Sequence, residues 1–100
     1  MQQYQLFANP DGDGYLLNVQ SDLLEIVRTR VVIPLIPERQ DGPRPATRLH
    51  PVFQIDGARF ILATHLIATV PLEILKEPRG NLMEQRDMIT AALDFLFQGF

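Results

Sequence analysis

The sequence predicts a mainly β fold with one C-terminal helix: a strongly bent antiparallel sheet or small barrel, capped by that helix. Three observations carry this. Asp56-Gly57 stands between two apolar runs, Arg30 to Ile36 is a β-branched run of strand composition, and the apolar period becomes helical after Asn81. With 100 residues and 46% hydrophobic content the chain supports one core; two domains would each be too small to bury one.

Taken in order, Tyr4, Leu6 and Ala8 alternate with Gln3 and Gln5 as in an opening strand. Asn9 to Gly14 is turn chemistry, because Gly, Asn and Asp tolerate positive φ. Tyr15 to Gln20 is the return strand of a hairpin, and Ser21-Asp22 marks a turn or short helix cap before the apolar pair Leu23-Leu24. Within the β-branched run, Pro34 cannot donate to a ladder, which places it at an edge or a bulge. Pro37 to Thr47 holds Pro37, Pro43, Pro45 and Gly42 and forms a loop long for a domain of this size. Val52–Ile55 and Ala58–Ala63 make a hairpin about Asp56-Gly57, whose type I′ turn needs positive φ twice. Leu66, Ala68 and Val70 give one more short strand before Pro71. Asn81 and Glu84 have capping-box spacing, and Met88, Ile89, Ala92, Leu93 and Leu96 form a helical stripe.

Composition narrows the function. A net charge of −3 argues against a nucleic-acid binder, which needs a basic stripe. The absence of cysteine excludes thiol chemistry and the usual zinc sites. The opening Met1-Gln2-Gln3-Tyr4 lacks a basic region and a long apolar run, so no signal peptide is expected; no run is long and apolar enough for a membrane span, and the cytoplasm is the expected address. No motif links His50 to His65, so both are expected as surface or strand-end histidines. Ser21 lacks a nucleophile elbow and is expected to cap a turn. Asp11-Gly12-Asp13-Gly14 lacks the later ligands of a calcium loop and the lysine of a phosphate loop. No catalytic constellation, metal or cofactor is expected. Arg39, Arg44 and Arg48 lie in or beside the Pro-rich loop, either as a site for an acidic partner or as a solvated loop face.

The helix end is more informative. Consecutive helical residues are about 100° apart, so Phe95, Leu96 and Phe97 sweep about 200°, more than one core-facing stripe covers. Leu96 continues the stripe, and Phe95 and Phe97 point to its two sides. They await a second subunit, a partner surface, or a small domain that buries the helix on several sides.

Taken in order, Val19-Gln20-Ser21-Asp22-Leu23-Leu24, Arg30-Val31-Val32-Ile33-Pro34-Leu35, Leu49-His50-Pro51-Val52 through Ile55-Asp56-Gly57, Ala68-Thr69-Val70-Pro71 and Ala92-Leu93-Asp94-Phe95-Leu96-Phe97 with Gly99 form a pattern. It resembles the CcdB family, the toxin half of plasmid-type toxin–antitoxin modules, over residues 1–100 as a single toxin domain. The resemblance implies an SH3-like small barrel with a C-terminal helix, assembled as a homodimer. It implies a protein that is not an enzyme but binds the A subunit of DNA gyrase and traps the cleaved DNA complex. A disordered segment of a CcdA-like antitoxin would remove it from gyrase.

By the same resemblance the gyrase contacts are Leu23, Leu24, Asp94, Gln98, Gly99 and Phe100, and Arg39, Arg44 and Arg48 are a possible antitoxin-binding loop. The best-known members carry Asn where Asp94 stands and close on Trp-Gly-Ile, where this chain has Gln98-Gly99-Phe100. In the family that tryptophan stacks on a gyrase arginine, a cation–π contact worth about 0.5–2 kcal/mol. Gln98 offers hydrogen bonds only, so the departure falls on gyrase poisoning rather than on the fold, the dimer or antitoxin binding. Two further readings follow: a CcdB-like binding protein made non-toxic or retargeted by Gln98, and a ribonuclease of the MazF type, which shares the fold. The latter would have to recruit Arg28 or Arg30 and lacks the glycine-rich opening motif of those enzymes.

Overall fold

Adjacent apolar pairs set the architecture. Successive side chains of a strand alternate faces, so Leu6-Phe7, Leu16-Leu17 and Val32-Ile33 each send one side chain to either side of the sheet. In the computed structural model, which describes every residue except Pro43 and Phe100, both sides are covered. Leu6, Leu17 and Ile33 join Leu35, Phe53, Phe60, Leu62, Ile89 and Ala92 in the main core beneath the helix. Phe7, Leu16 and Val32 pack on the other face against Leu75, with Val70 and Ile74 beside them.

The strands are β1 (Gln5–Ala8), β2 (Tyr15–Asn18), β3 (Thr29–Pro37), β4 (Val52–Ile55), β5 (Ala58–Leu62), β6 (Ala68–Pro71) and β7 (Pro78–Asn81), followed by α1 (Arg86–Gln98). All pairings are antiparallel, in the order β4-β5-β3-β2-β1-β7, with β6 also on β3. The two edges turn toward each other: Gln54 and Ile55 of β4 line the same cleft as Arg79, Gly80 and Asn81 of β7. The sheet is thus a curled half-barrel with one C-terminal helix, the mainly β class the sequence predicts. Asp56 and Gly57 take φ values of 51° and 83°, the double positive φ expected of the β4–β5 turn.

Several expectations are corrected. Pro34 sits neither at an edge nor at a bulge but in the middle of β3, opposite Leu16. β6 pairs with β3 as far as Val32 and β5 pairs from Leu35, so Pro34 falls where β3 changes partner. Its carbonyl accepts the Ala63 N–H at 2.9 Å on that side, where neither β5 nor β6 is paired with it. β2 ends at Asn18, two positions short of Gln20: the Val19 N–H still donates to the Val31 carbonyl at 3.0 Å, but the Val31 N–H goes to the Gln20 side chain instead of a backbone carbonyl. Leu66 belongs to a one-turn helix, Thr64–Leu66, and β6 starts at Ala68. β7 has no counterpart in the sequence reading: Pro-Arg-Gly-Asn is exposed throughout and carries no apolar alternation.

The capping-box expectation also shifts. Asn81 Oδ1 accepts the Met83 N–H at 2.9 Å just before the one-turn helix Met83–Gln85, whose N-cap is Leu82, and α1 begins only at Arg86 with no side-chain cap. Ile89 and Ala92 are buried as expected, but Met88 is exposed. It lies about 100° around the helix from Ile89, outside the stripe.

Gly14 is required by close approach. A Cβ there would lie 1.8 Å from the Leu35 carbonyl oxygen, across the β2–β3 pairing. Gly14→Ala is expected to lower stability by about 3 kcal/mol, read in urea denaturation, because backbone rather than a flexible side chain must move.

Candidate functional site

The connection between β2 and β3 leaves apolar side chains in water. Leu23 is 92% exposed and Ile26 85%, with Leu24 and Val27 also exposed. Four neighbouring aliphatic residues on one short turn form a patch of the kind that marks an interaction site. The sequence reading singled out Leu23 and Leu24; Ile26 and Val27 extend the same surface and were legible only as apolar letters without a period.

The backbone beneath this patch is fixed by polar side chains. Ser21 Oγ accepts the Leu23 N–H at 3.2 Å, the cap expected of it, and Asp22 Oδ1 accepts the Gln3 N–H at 2.7 Å. Buried Gln20 accepts the Val31 N–H at 3.0 Å through Oε1 and donates Nε2 to the Leu24 carbonyl at 3.3 Å. Arg30 is also buried. Its guanidinium donates to the carbonyls of Glu25 at 3.1 Å, Val27 at 2.5 Å and Thr29 at 2.8 Å. The planar fork of arginine suits three divergent acceptors. The backbone of the turn is thus held by side-chain hydrogen bonds while its apolar side chains face solvent, so little backbone order is lost on binding.

The second candidate segment is the last turn of α1. Asp94 and Gln98 are exposed, and Gly99 ends the helix with φ 78°, its N–H bonded to the Phe95 carbonyl at 2.9 Å. The expectation on Phe100 lies outside the described residues. The two flanking rings differ: Phe97 is 73% exposed, whereas Phe95 is half-buried with the Arg48 guanidinium 5.1 Å above its ring. The chain itself therefore covers one of the two rings that the helical wheel left over.

Arg39, Arg44 and Arg48 have different neighbours. Arg39 pairs with Asp13 at 3.2 Å, an exposed pair worth little. Arg39 and Arg44 line a cavity of about 220 Å³ with Ile36, Ile61, His50 and His65, while Arg48 belongs to Phe95. The two histidines, expected to be unrelated, meet: His50 Nε2 and His65 Nδ1 are 2.8 Å apart. Burial and, to a smaller extent, the neighbouring His65 hold the His50 pKa below the ordinary histidine value.

Of the arginines a ribonuclease would recruit, Arg30 spends its donors on the turn beneath Leu23, and Arg28 pairs with Glu73 at 3.3 Å. Among the described residues no group of three or more His, Asp or Glu could hold a metal ion, and no helix is long and apolar enough to cross a membrane. What the geometry offers is surface: a pre-shaped apolar turn, an exposed phenylalanine at a helix end, and a loop carrying cations. Compared with known proteins, the chain matches the family described as CcdB protein across residues 3–99, from β1 through the end of α1. That family comprises toxins of toxin–antitoxin modules, of the gyrase-inhibiting kind, and the match spans both candidate segments: the chain belongs to the CcdB family.

Proposed function

We propose that this protein is a type II toxin that binds the A subunit of DNA gyrase, traps the cleaved gyrase–DNA complex, and is neutralised by a CcdA-like antitoxin. The observation that carries the reading is the exposed turn Leu23–Val27, pinned from below by Arg30 and Gln20 in a chain of this family. Binding rather than catalysis is its mode of action. Leu23, Leu24, Asp94, Gln98 and Gly99 supply the contact, and a homodimer brings two copies of each segment to the target. An acidic, flexible antitoxin segment fits the loop that carries Arg39, Arg44 and Arg48 by charge. The action takes place in the cytoplasm, where gyrase works.

Expression in a gyrase-sensitive host tests this. Growth arrest with DNA damage, relieved by co-expressing the antitoxin, is the expected result; normal growth without damage at high expression would sink the proposal. Gln98 favours a second reading, a family member that has lost or redirected the toxic contact. Gln98→Trp is expected to tighten gyrase binding about 2- to 30-fold, the range that a cation–π contact of about 0.5–2 kcal/mol provides. Toxicity confined to that variant would assign the native protein to the second reading.

A further inference from the structure

The two histidines form a directional chain. The Ala46 N–H donates to His50 Nδ1 at 3.0 Å, and a backbone N–H can only donate. Nδ1 of His50 is therefore the unprotonated nitrogen, and the proton of the neutral ring sits on Nε2. That Nε2–H faces His65 Nδ1 at 2.8 Å, so His65 Nδ1 accepts and its own proton sits on Nε2. The order runs Ala46 N–H to His50 to His65, and it holds only while both rings are neutral.

One added proton breaks it, wherever the proton goes. On His50 Nδ1 it meets the Ala46 N–H, donor against donor. On His65 Nδ1 it meets the His50 Nε2–H. If His50 changes tautomer to accept from a charged His65, its Nδ1–H again opposes Ala46. The surroundings resist the proton as well. The cavity beside the pair is lined by Arg39 and Arg44 from the β3–β4 loop and by His65 from the one-turn helix after β5, and among the described residues no carboxylate lines it. Arg48 lies in the same turn as His50.

The chain also holds something in place. The Ala46–His50 turn is closed at both ends by His50, whose own N–H reaches the Ala46 carbonyl at 2.7 Å. That turn carries Arg48 over Phe95 of α1. His65 sits on the one-turn helix Thr64–Leu66, which packs against α1. We propose that the Ala46–His50–His65 chain is an acid-sensitive latch, holding the turn and its arginine on the helix end while both imidazoles are neutral and releasing them on uptake of one proton.

The sign follows from linkage. An unfolded histidine takes up its proton near pH 6.5, and folded His50 takes it up at lower pH. The latch is complete above that value and is lost as pH falls through the folded one. Its readout needs no partner, so its failure is separate from failure of the gyrase reading.

The test is amide hydrogen exchange at Ala46 in the full chain, corrected for intrinsic rate, from about pH 8 to about pH 5, with imidazole nitrogen shifts recorded alongside. Protection at Ala46 is expected to fall about tenfold or more on acidification, while Ile89 in α1 stays protected. His50 is expected as the Nε2–H tautomer at neutral pH. His65→Phe removes the repelling ring and is expected to move the His50 titration toward higher pH. Flat protection at Ala46, parallel loss at Ile89, the opposite tautomer, or a His50 titration unmoved by His65→Phe would each overturn the latch.

Discussion

Replacing Leu23 and Leu24 together by aspartate is expected to weaken binding to the gyrase A subunit by more than about 100-fold and to abolish toxicity, with the melting temperature unchanged. Burying a leucine side chain contributes about 1.5–3 kcal/mol, and two on one turn exceed the roughly 2.7 kcal/mol that a 100-fold change represents. Aspartate adds the cost of desolvating a carboxylate against a surface built to accept alkyl groups. Stability is spared because Leu23 is almost wholly in solvent and Leu24 is half exposed, while the bond from Gln20 to the Leu24 backbone carbonyl survives any side-chain change. Titration calorimetry against a purified gyrase A fragment, paired with thermal denaturation, reads both halves. Retained binding would remove the turn from the interface and leave the helix end to account for gyrase alone.

The elements legible in the sequence were those whose pattern is local. Asp56-Gly57 forced its turn because only one turn type accommodates two positive φ values, and the stripe Ile89, Ala92, Leu93, Leu96 forced a helix face. Where a residue's role depends on which strand lies opposite, the sequence was silent. Pro34 violated the edge-strand rule because β3 exchanges β6 for β5 at that position, a non-local event. β7 is recognisable only by its ladder to β1, since none of its side chains is buried.

The histidine pair is an intermediate case. The β4–β5 register sets Val52 opposite Ile61, so the flanks holding His50 and His65 must emerge side by side at the open end of the hairpin. That proximity follows from the hairpin the sequence predicts. The exposed turn shows the opposite limit: Leu23, Leu24, Ile26 and Val27 have core composition, and nothing local in them reveals that they face water. What reveals it is Arg30, a buried cation whose acceptors are the carbonyls of the turn itself.

That arginine makes a separable prediction. Arg30→Met keeps most of the side-chain volume and removes the donors that bind Glu25, Val27 and Thr29. Bonds from a charged donor contribute about 1.5–3 kcal/mol each, but three on one group are not additive, and water reaches part of an exposed turn, so a net loss of about 3 kcal/mol is expected in urea denaturation. Arg30→Lys tests geometry against charge: an ammonium keeps the charge but cannot fork to three acceptors, and it is expected to recover less than half of the loss. Amide exchange at Leu24 to Val27 is expected to rise in both variants as the turn loosens. Gyrase binding is expected to fall as well, although Arg30 is 5% exposed and offers no surface to a partner. The two leucine substitutions remove binding without touching stability; the arginine substitution removes both, because it acts on the backbone that presents the leucines. If Arg30→Met loses stability yet binds gyrase at full strength, the turn assembles on its target and its rigidity in the free protein plays no part in recognition.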